Sequence, residues 1–287
     1  MQRQSNELTT AQFAIRLLRD TGVLREDQGL TPVQLQICRY LDGSDKRKIA
    51  CAFRGVGKST LAACYSVKRL YDDPNRKLLI ISASEGRAEA MTAWMLKTIT
   101  DLPWLQHMKP DTSNGRYSKM AFDIGTCAFI EQSPSVRPAG IKGQITGSRA
   151  TDILIDDPET PTTALTQVQR MRLRDQLNEV EAIIKPGDDS RITYLGTPHS
   201  STDSIYFYLA KEMGYKMRMW PARVPETEVP YRNMLAPVIA ELVAKIPGKP
   251  TDTRFTEIEL CEREGSMSRP QWRLQYMLDP TLTDKDK

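Results

Sequence analysis

Residues 48–73 combine a strand pattern, a turn with two glycines and a helical pattern, and this combination restricts the chain to few folds. KIACAF (48–53) is typical of a short strand, and KSTLAACYSVKRLYDD (58–73) predicts a helix that ends before Pro74. RGVG (54–57) lies between them and supplies glycines for a tight turn. A strand that turns directly into a helix is the unit from which helix-covered parallel sheets are built.

The alternation of strands and helices continues to about residue 222. We expect strands at 77–84, 152–157, 191–198 and 215–222, weaker strand candidates at 120–125 and 127–132, a long loop at 133–150, and helices at 85–100, 161–184 and 201–214. Two helices precede them, one capped by Thr9 and Gln12 and one at 31–41. The pattern predicts an α/β fold with a mostly parallel sheet flanked by helices.

The C-terminal part changes in character. Five prolines lie between residues 225 and 250, and the strand pattern stops. We therefore expect a P-loop domain at 1–222 and a small, mainly helical subdomain at 223–287.

Composition excludes several classes. No apolar run approaches the roughly 20 residues that a membrane span needs, and five scattered cysteines with two histidines do not suggest a zinc site. We expect a soluble intracellular protein with free thiols. The net charge of +4 permits a nucleic-acid partner without requiring one.

The glycine turn is close to the phosphate-binding pattern G-x-x-x-x-G-K-[ST], with Ala52 in the place of the first glycine. In such a loop the backbone N–H groups and Lys58 bind the phosphates, and the hydroxyl of Ser59 ligates Mg²⁺. The start of the following helix also favours an anion. The candidate ATP-binding residues of the loop are Arg54, Gly55, Val56, Gly57, Lys58, Ser59 and Thr60.

The strand DILIDD (152–157) delivers two carboxylates to its C-terminal end, where open α/β sheets bind ligands. We expect Asp156 to hold Mg²⁺ together with Ser59. A base for the attacking water should lie just beyond. Asp157 and Glu159 both fit this role, and the sequence does not separate them.

Three further positions complete the candidate site. Thr197 ends the strand after the acidic one, which fits the sensor position of additional-strand ATPases, with 77–84 as the intervening strand. Arg54 and Arg149 are candidates for stabilising the transferred phosphate, in cis or from a neighbouring subunit. Gln34 is a candidate for reading the adenine edge.

The segments AFRGVGKS, GIKGQITGSRATDILIDD and YLGTPHS, in this order, resemble the large terminase subunit of tailed bacteriophages, most closely the type from short-tailed podoviruses. The resemblance runs from about residue 30 to WRLQYMLDPTLTD. It implies a DNA-packaging motor that binds ATP and Mg²⁺, assembles as a ring on the portal and pumps double-stranded DNA. It also implies the small terminase subunit as a partner and the host-cell cytoplasm as the location.

The resemblance assigns roles to single residues. Gln34 matches the adenine-recognition glutamine, Arg149 a finger that acts across subunits, Arg54 a loop arginine at the γ-phosphate, and Thr197 the motif that couples hydrolysis to movement. The family usually has Glu where Asp157 stands here, so the base stays open between Asp157 and Glu159. Large terminases normally continue into an RNase H-like nuclease; this sequence stops where it would begin, and we expect no DNA cleavage.

Two other functions remain possible from the sequence: a helicase-like nucleic-acid ATPase and a module that binds nucleotide without hydrolysing it. For either motor, DNA contacts should involve phosphates and depend on salt. The candidate DNA-binding residues are Arg137 and Lys142 in the predicted loop and Arg170, Arg172 and Arg174 on the predicted helix.

Overall fold

The computed structural model describes residues 8–113, 116–128, 131–143, 145, 147, 149–164, 166–199 and 203–279. Its strands are β1 (Arg47–Ala52), β2 (Leu78–Ser82), β3 (Tyr117–Ser118), β4 (Ala121–Phe122), β5 (Val136–Gly140), β6 (Asp152–Asp156), β7 (Arg191–Gly196) and β8 (Lys216–Trp220). Its α-helices are α1 (Thr10–Asp20), α2 (Pro32–Asp42), α3 (Lys58–Asp72), α4 (Glu85–Asp101), α5 (Pro161–Ala164), α6 (Gln167–Asn178), α7 (Val180–Ile183), α8 (Ile205–Glu212), α9 (Pro237–Val243), α10 (Glu257–Gly265) and α11 (Arg269–Gln275).

The described strands form one eight-stranded sheet in the order β3-β4-β5-β2-β6-β7-β1-β8. Strands β5, β2, β6, β7, β1 and β8 run parallel, and the short β3 and β4 pair antiparallel at one edge. The predicted α/β class with a mostly parallel, helix-flanked sheet is therefore confirmed. No helix in the described part of the chain is long and apolar enough to cross a bilayer.

The order of the central strands corrects one expectation. Strand β7 lies between the glycine-loop strand β1 and the acidic strand β6, whereas β2 lies on the far side of β6. The strand inserted between the two in space is therefore β7 and not the segment 77–84. Because all three strands are parallel, the glycine loop, Asp156 and Thr197 follow their strands at the same edge of the sheet.

Strand β5 lies within the segment that the sequence predicts to be a long loop. Proline weakens a strand prediction because it has no N–H to donate. In β5 this loss is harmless: the N–H of Ile141 donates to Ser82 of β2, and alternation along the strand turns the nitrogen of Pro138 away from β2. On that other side β4 pairs with β5 only at Val136.

Two further element predictions need correction. The helix expected at 161–184 is divided into α5, α6 and α7, and Ile183, not Ile184, completes the buried stripe. Ile184 instead makes a parallel bridge with Ala150. Of the weaker strand candidates, only Ala121–Phe122 forms within 120–125, and no strand forms at the described positions of 127–132; residues 129 and 130 lie outside the described part.

The helices of the segment 223–279 are its main regular elements, and the segment packs against the sheet. Phe53, at the end of β1, contacts Phe255 and Tyr276 with ring centroids 5.1 and 6.2 Å apart. Tyr276 and Trp272 are buried in the same apolar cluster as the sheet. The contact brings this segment onto the glycine loop, while a domain boundary near residue 222 stays a prediction.

Candidate nucleotide site

The glycine loop has the conformation that its sequence predicts. Gly55 and Gly57 have φ of +95° and +92°, a region that L side chains rarely adopt. Gly57 is the N-cap of α3 and makes no side-chain cap. The first N–H groups of a helix have no partner within it, so the start of α3 offers donors for a phosphate group.

Side chains from outside the loop fix its tip. The carbonyl oxygen of Val56 accepts hydrogen bonds from Gln34 Nε2 at 3.0 Å and from Arg254 Nη2 at 2.8 Å. The Arg54 N–H donates to the carbonyl oxygen of Gln275 at 3.3 Å. The C-terminal segment therefore forms one wall of the site. The sequence motifs did not predict this contact.

Gln34 is engaged at both ends of its amide. Its Oε1 accepts from the Thr31 N–H at 3.0 Å, so Gln34 is the N3 residue of the α2 capping box. Its Nε2 donates to the Val56 carbonyl oxygen. It is 8% exposed and packs against Gly57, where an added Cβ would lie 3.2 Å from Nε2. This geometry makes Gln34 a support of the loop; reading an adenine edge would require these bonds to break.

Lys58 connects the loop to the neighbouring strand. Its buried ammonium donates to the carbonyl oxygen of Ala52 at 3.0 Å and to Thr197 Oγ1 at 2.9 Å. The Thr197 hydroxyl donates in turn to the Ala52 carbonyl oxygen at 3.0 Å. The structure thus brings Thr197 directly to the lysine of the loop, as the strand order requires.

Asp156 is buried beside the first turn of α3. It is hydrogen-bonded to Ser59, while its Oδ1 is buried and has no hydrogen-bond partner within the described residues. Burial raises the pKa of Asp156 to about 6 and the Asp157 charge acts in the same direction, whereas the Ser59 hydrogen bond lowers it. A free carboxylate oxygen beside a hydroxyl is the donor set that Mg²⁺ takes in nucleotide sites, so these residues fit that ion.

Asp157 and Glu159, the two candidate bases, lie in different environments. Asp157 is half-buried, faces the cleft and has φ of +43°. Glu159 is 1% exposed; its Oε1 accepts from the His199 N–H at 2.9 Å, and its Oε2 accepts from Ser204 Oγ at 2.6 Å and from the Ile205 N–H at 3.3 Å. Glu159 therefore caps α8 and joins the acidic loop to the loop after β7.

These groups surround a cleft of about 620 Å³ whose lining includes Gly57, Lys58, Ser59, Asp157, Glu159 and Thr197. Sequence reasoning missed six other residues on its walls: Arg87, Thr160, His199, Met267, Gln271 and Gln275. Arg87 and His199 follow the carboxyl ends of β2 and β7, a position that could have marked them. Gln271 and Gln275 belong to α11, Met267 lies in the turn before it, and Thr160 follows Glu159 in the loop after β6; no sequence pattern marked these four.

Arg149 lies at the opposite edge of the sheet from this cleft. It precedes β6 while Asp156 ends that strand, so about 16 Å of strand separates the two edges. Its Nη1 donates to the Ala182 carbonyl oxygen at 2.5 Å. The possibility that Arg149 acts in cis is therefore wrong for this arrangement, and its action on a neighbouring subunit stays a prediction.

The candidate DNA-binding residues fall into two groups. Lys142 and Arg172 are exposed and Arg137 is half-buried. Arg170 is 8% exposed, and it donates to the Ala164 carbonyl oxygen at 3.0 Å and to Asp203 at 3.3 Å. The expectation that Arg170 contacts DNA is wrong in this structure, because the side chain is occupied inside the fold. Arg174 also contacts Asp203 and lies over the Tyr208 ring.

Comparison with known proteins supports the same family as the motifs. No protein-family model matches the sequence. Over 266 residues the chain is 38% identical to the terminase large subunit of Enterobacteria phage T3, and the match covers 90% of this chain but 45% of the T3 protein, so the chain spans about half of that relative's length. The large terminase ATPase domain of Thermus phage P74-26, solved as a mutant, matches with a TM-score of 0.51 and 16% identity over 86% of this chain and 92% of that domain. The chain is therefore similar in sequence to about half of a phage large terminase subunit, and it has the fold of a large terminase ATPase domain.

Proposed function

We propose that this chain hydrolyses ATP as the motor of a phage DNA-packaging machine and couples hydrolysis to the movement of double-stranded DNA into a procapsid. One observation carries the proposal. Lys58 of the glycine loop donates to Thr197 on one side of a cleft, and on the other side Asp156 is hydrogen-bonded to Ser59 while its Oδ1 has no partner among the described residues. The chain is also 38% identical over 266 residues to a terminase large subunit. Both halves of a triphosphate site are present.

The loop binds the triphosphate. Gly55 and Gly57 allow the backbone N–H groups to face the phosphates, and the start of α3 adds its partial positive charge. Lys58 exchanges its bonds to Ala52 and Thr197 for the β- and γ-phosphate oxygens. Thr197 Oγ1 thereby loses the donor Lys58 while its hydroxyl still donates to Ala52, so its hydrogen bonding changes when the nucleotide binds, which suits a residue that couples hydrolysis to movement.

Ser59 and Asp156 are the residues that would hold Mg²⁺. When bound, the ion would neutralise charge on the phosphates and orient them for in-line attack. Asp156 must be ionised for this role. Its raised pKa, caused first by burial, shows that the carboxylate is poorly solvated in the apo protein and would be stabilised by a cation.

Asp157 is the base in this proposal. It faces the cleft, and its carboxylate can accept the proton of a water that attacks the γ-phosphorus. Glu159 has both oxygens occupied by donors of the loop after β7 and of α8, so it positions that loop and does not take the proton. The proposal therefore favours Asp157 over Glu159, the alternative that the sequence left open.

The motor is completed by a second copy of the chain. Arg149 lies too far from its own cleft, so in a ring it would act on the nucleotide of a neighbour, where such an arginine is worth about 10³–10⁵ in rate. The portal, the small terminase subunit and the DNA backbone are the further partners that this function implies. The exposed Lys142 and Arg172, with Arg137, remain the candidate DNA contacts.

The test measures ATP turnover per chain against protein concentration, for the wild type, Arg149→Ala and Arg39→Ala. Arg39 is an exposed arginine of α2 outside the cleft and serves as the matched control. Turnover should rise with concentration in the wild type and the control, and collapse in Arg149→Ala while nucleotide binding persists. Tight binding of ATP without any turnover at high concentration would instead favour a nucleotide-binding module.

A further inference from the structure

Arg87 lies at the nucleotide cleft although no sequence motif includes it. It belongs to the first turn of α4, which begins directly after β2. The last residue of β2, Ser82, is in register with Asp156 of the acidic strand. The start of α4 is therefore beside the carboxylates, and Arg87 lines the cleft together with Lys58, Ser59 and Asp157.

The Arg87 guanidinium is exposed and makes no hydrogen bond or ion pair with the described residues. The other arginine that lines the cleft, Arg54, is placed differently: its main chain and side chain both contact Gln275 on the opposite wall. An unpaired guanidinium beside a triphosphate site is available for a charge-assisted contact with a phosphate.

The position of Arg87 indicates which phosphate it faces. It also lines a second opening, of about 470 Å³, together with Ser59, Asp156 and Asp157. These residues mark the end of the site where the terminal phosphate, its metal ion and the attacking water belong.

We propose that Arg87 is a further catalytic residue, which contacts the γ-phosphate of the nucleotide bound in its own subunit. This inference rests on the proposed ATPase function. In the step that it assists, the water oxygen bonds to the γ-phosphorus, the bond to the β–γ bridging oxygen breaks with its electron pair leaving on ADP, and the water proton passes to Asp157. Arg87 stabilises the charge on the γ-phosphoryl oxygens during this step.

The site then uses two arginines with different origins. Arg87 acts in cis from α4, while Arg149 of a neighbour acts in trans. A cis residue must be present in the same chain as an intact glycine loop, whereas a trans residue can be supplied by another chain. This difference makes the inference testable in mixed oligomers.

The first experiment compares the wild type, Arg87→Ala, Arg87→Lys and the control Arg39→Ala. We expect kcat of Arg87→Ala to fall by about 10²-fold, the effect typical of removing one donor to a developing charge. ADP lacks the γ-phosphate, so its Kd should change less than twofold. Arg87→Lys should recover only part of the rate, because an ammonium lacks the planar fork.

The second experiment mixes inactive chains. Arg149→Ala mixed with Lys58→Ala should regain turnover, because the Lys58→Ala chain supplies the missing arginine. Arg87→Ala mixed with Lys58→Ala should stay inactive. Three results would overturn the role of Arg87. They are an unchanged kcat in Arg87→Ala, a loss of ADP affinity as large as the loss of kcat, and recovery of turnover in the mixture of Arg87→Ala with Lys58→Ala. Absence of turnover in the wild type would refute the proposed function itself.

Discussion

The different surroundings of Asp157 and Glu159 predict opposite effects for the same chemical change, acid to amide. Glu159→Gln places an NH₂ group where a carboxylate oxygen now accepts. If the amide oxygen keeps Ser204 and Ile205, the NH₂ faces the His199 N–H, which now donates at 2.9 Å. One charge-assisted hydrogen bond is lost, worth about 1.5–3 kcal/mol. For a domain of this size the melting temperature should fall by about 4–10 °C.

Asp157→Asn should behave in the opposite way. Asn tolerates the left-handed backbone at φ +43° as well as Asp does, so the melting temperature should stay within about 2 °C. Turnover should fall by at least about 10²-fold, because the amide cannot accept the water proton. Glu159→Gln should keep turnover within about tenfold of the wild type at a temperature where it is folded.

Thermal unfolding and phosphate release from the same preparations provide both readouts. We expect Glu159→Gln to lose stability and Asp157→Asn to lose activity. If Glu159→Gln were stable and inactive while Asp157→Asn still turned over ATP, the assignment of the base to Asp157 would be refuted.

Two further predictions concern stability. Burial raises the pKa of Asp156 from 3.8 to about 6, so the folded state binds the proton more tightly than the unfolded state. The free energy of unfolding of the wild type should therefore fall as the pH rises between these two values. In urea unfolding without Mg²⁺, Asp156→Asn should be more stable than the wild type by up to about 3 kcal/mol above pH 6, with no difference near pH 4. An unchanged difference across this range would contradict the shift. Arg170→Ala should lower the free energy of unfolding by about 2 kcal/mol, because it removes the bonds to Ala164 and Asp203, whereas the exposed Arg172→Ala should leave it unchanged and reduce the salt dependence of DNA binding by about one charge. Equal effects of the two substitutions on DNA affinity, with no loss of stability, would show that Arg170 is a DNA contact after all.

The sequence predicts the part of the site that is local along the chain. Lys58 and Ser59 are specified by the loop and the helix that follows it, and Asp156 by the end of a buried strand. The parallel sheet then brings Thr197 to the same edge, but its contact with Lys58 depends on β7 lying next to β1, which the sequence did not predict. These predictions depend on short-range patterns and one topological rule.

Long-range packing determines what the sequence did not predict. Gln275 and Arg254 reach the loop from more than 190 positions away, and no periodicity in the C-terminal helices announces those contacts. Pro138 argued against a strand at β5, because proline has no N–H to donate. Its nitrogen faces β4, which pairs with β5 only at Val136, so no ladder bond is lost at Pro138. The carboxylate of Glu159 could act as a general base by its chemistry. Only the fold shows that its oxygens already accept hydrogen bonds from His199 and Ser204.

We expect ATP to be hydrolysed in the cleft that contains Lys58. The most direct test measures phosphate release from ATP by the wild type, Lys58→Ala and Lys97→Ala, each with Mg²⁺ and with a chelator; Lys97 is an exposed lysine of α4 paired with Asp101 and serves as the control. We expect Mg²⁺-dependent release by the wild type and Lys97→Ala and none by Lys58→Ala. Equal release by all three chains, or release that persists in the chelator, would contradict this expectation.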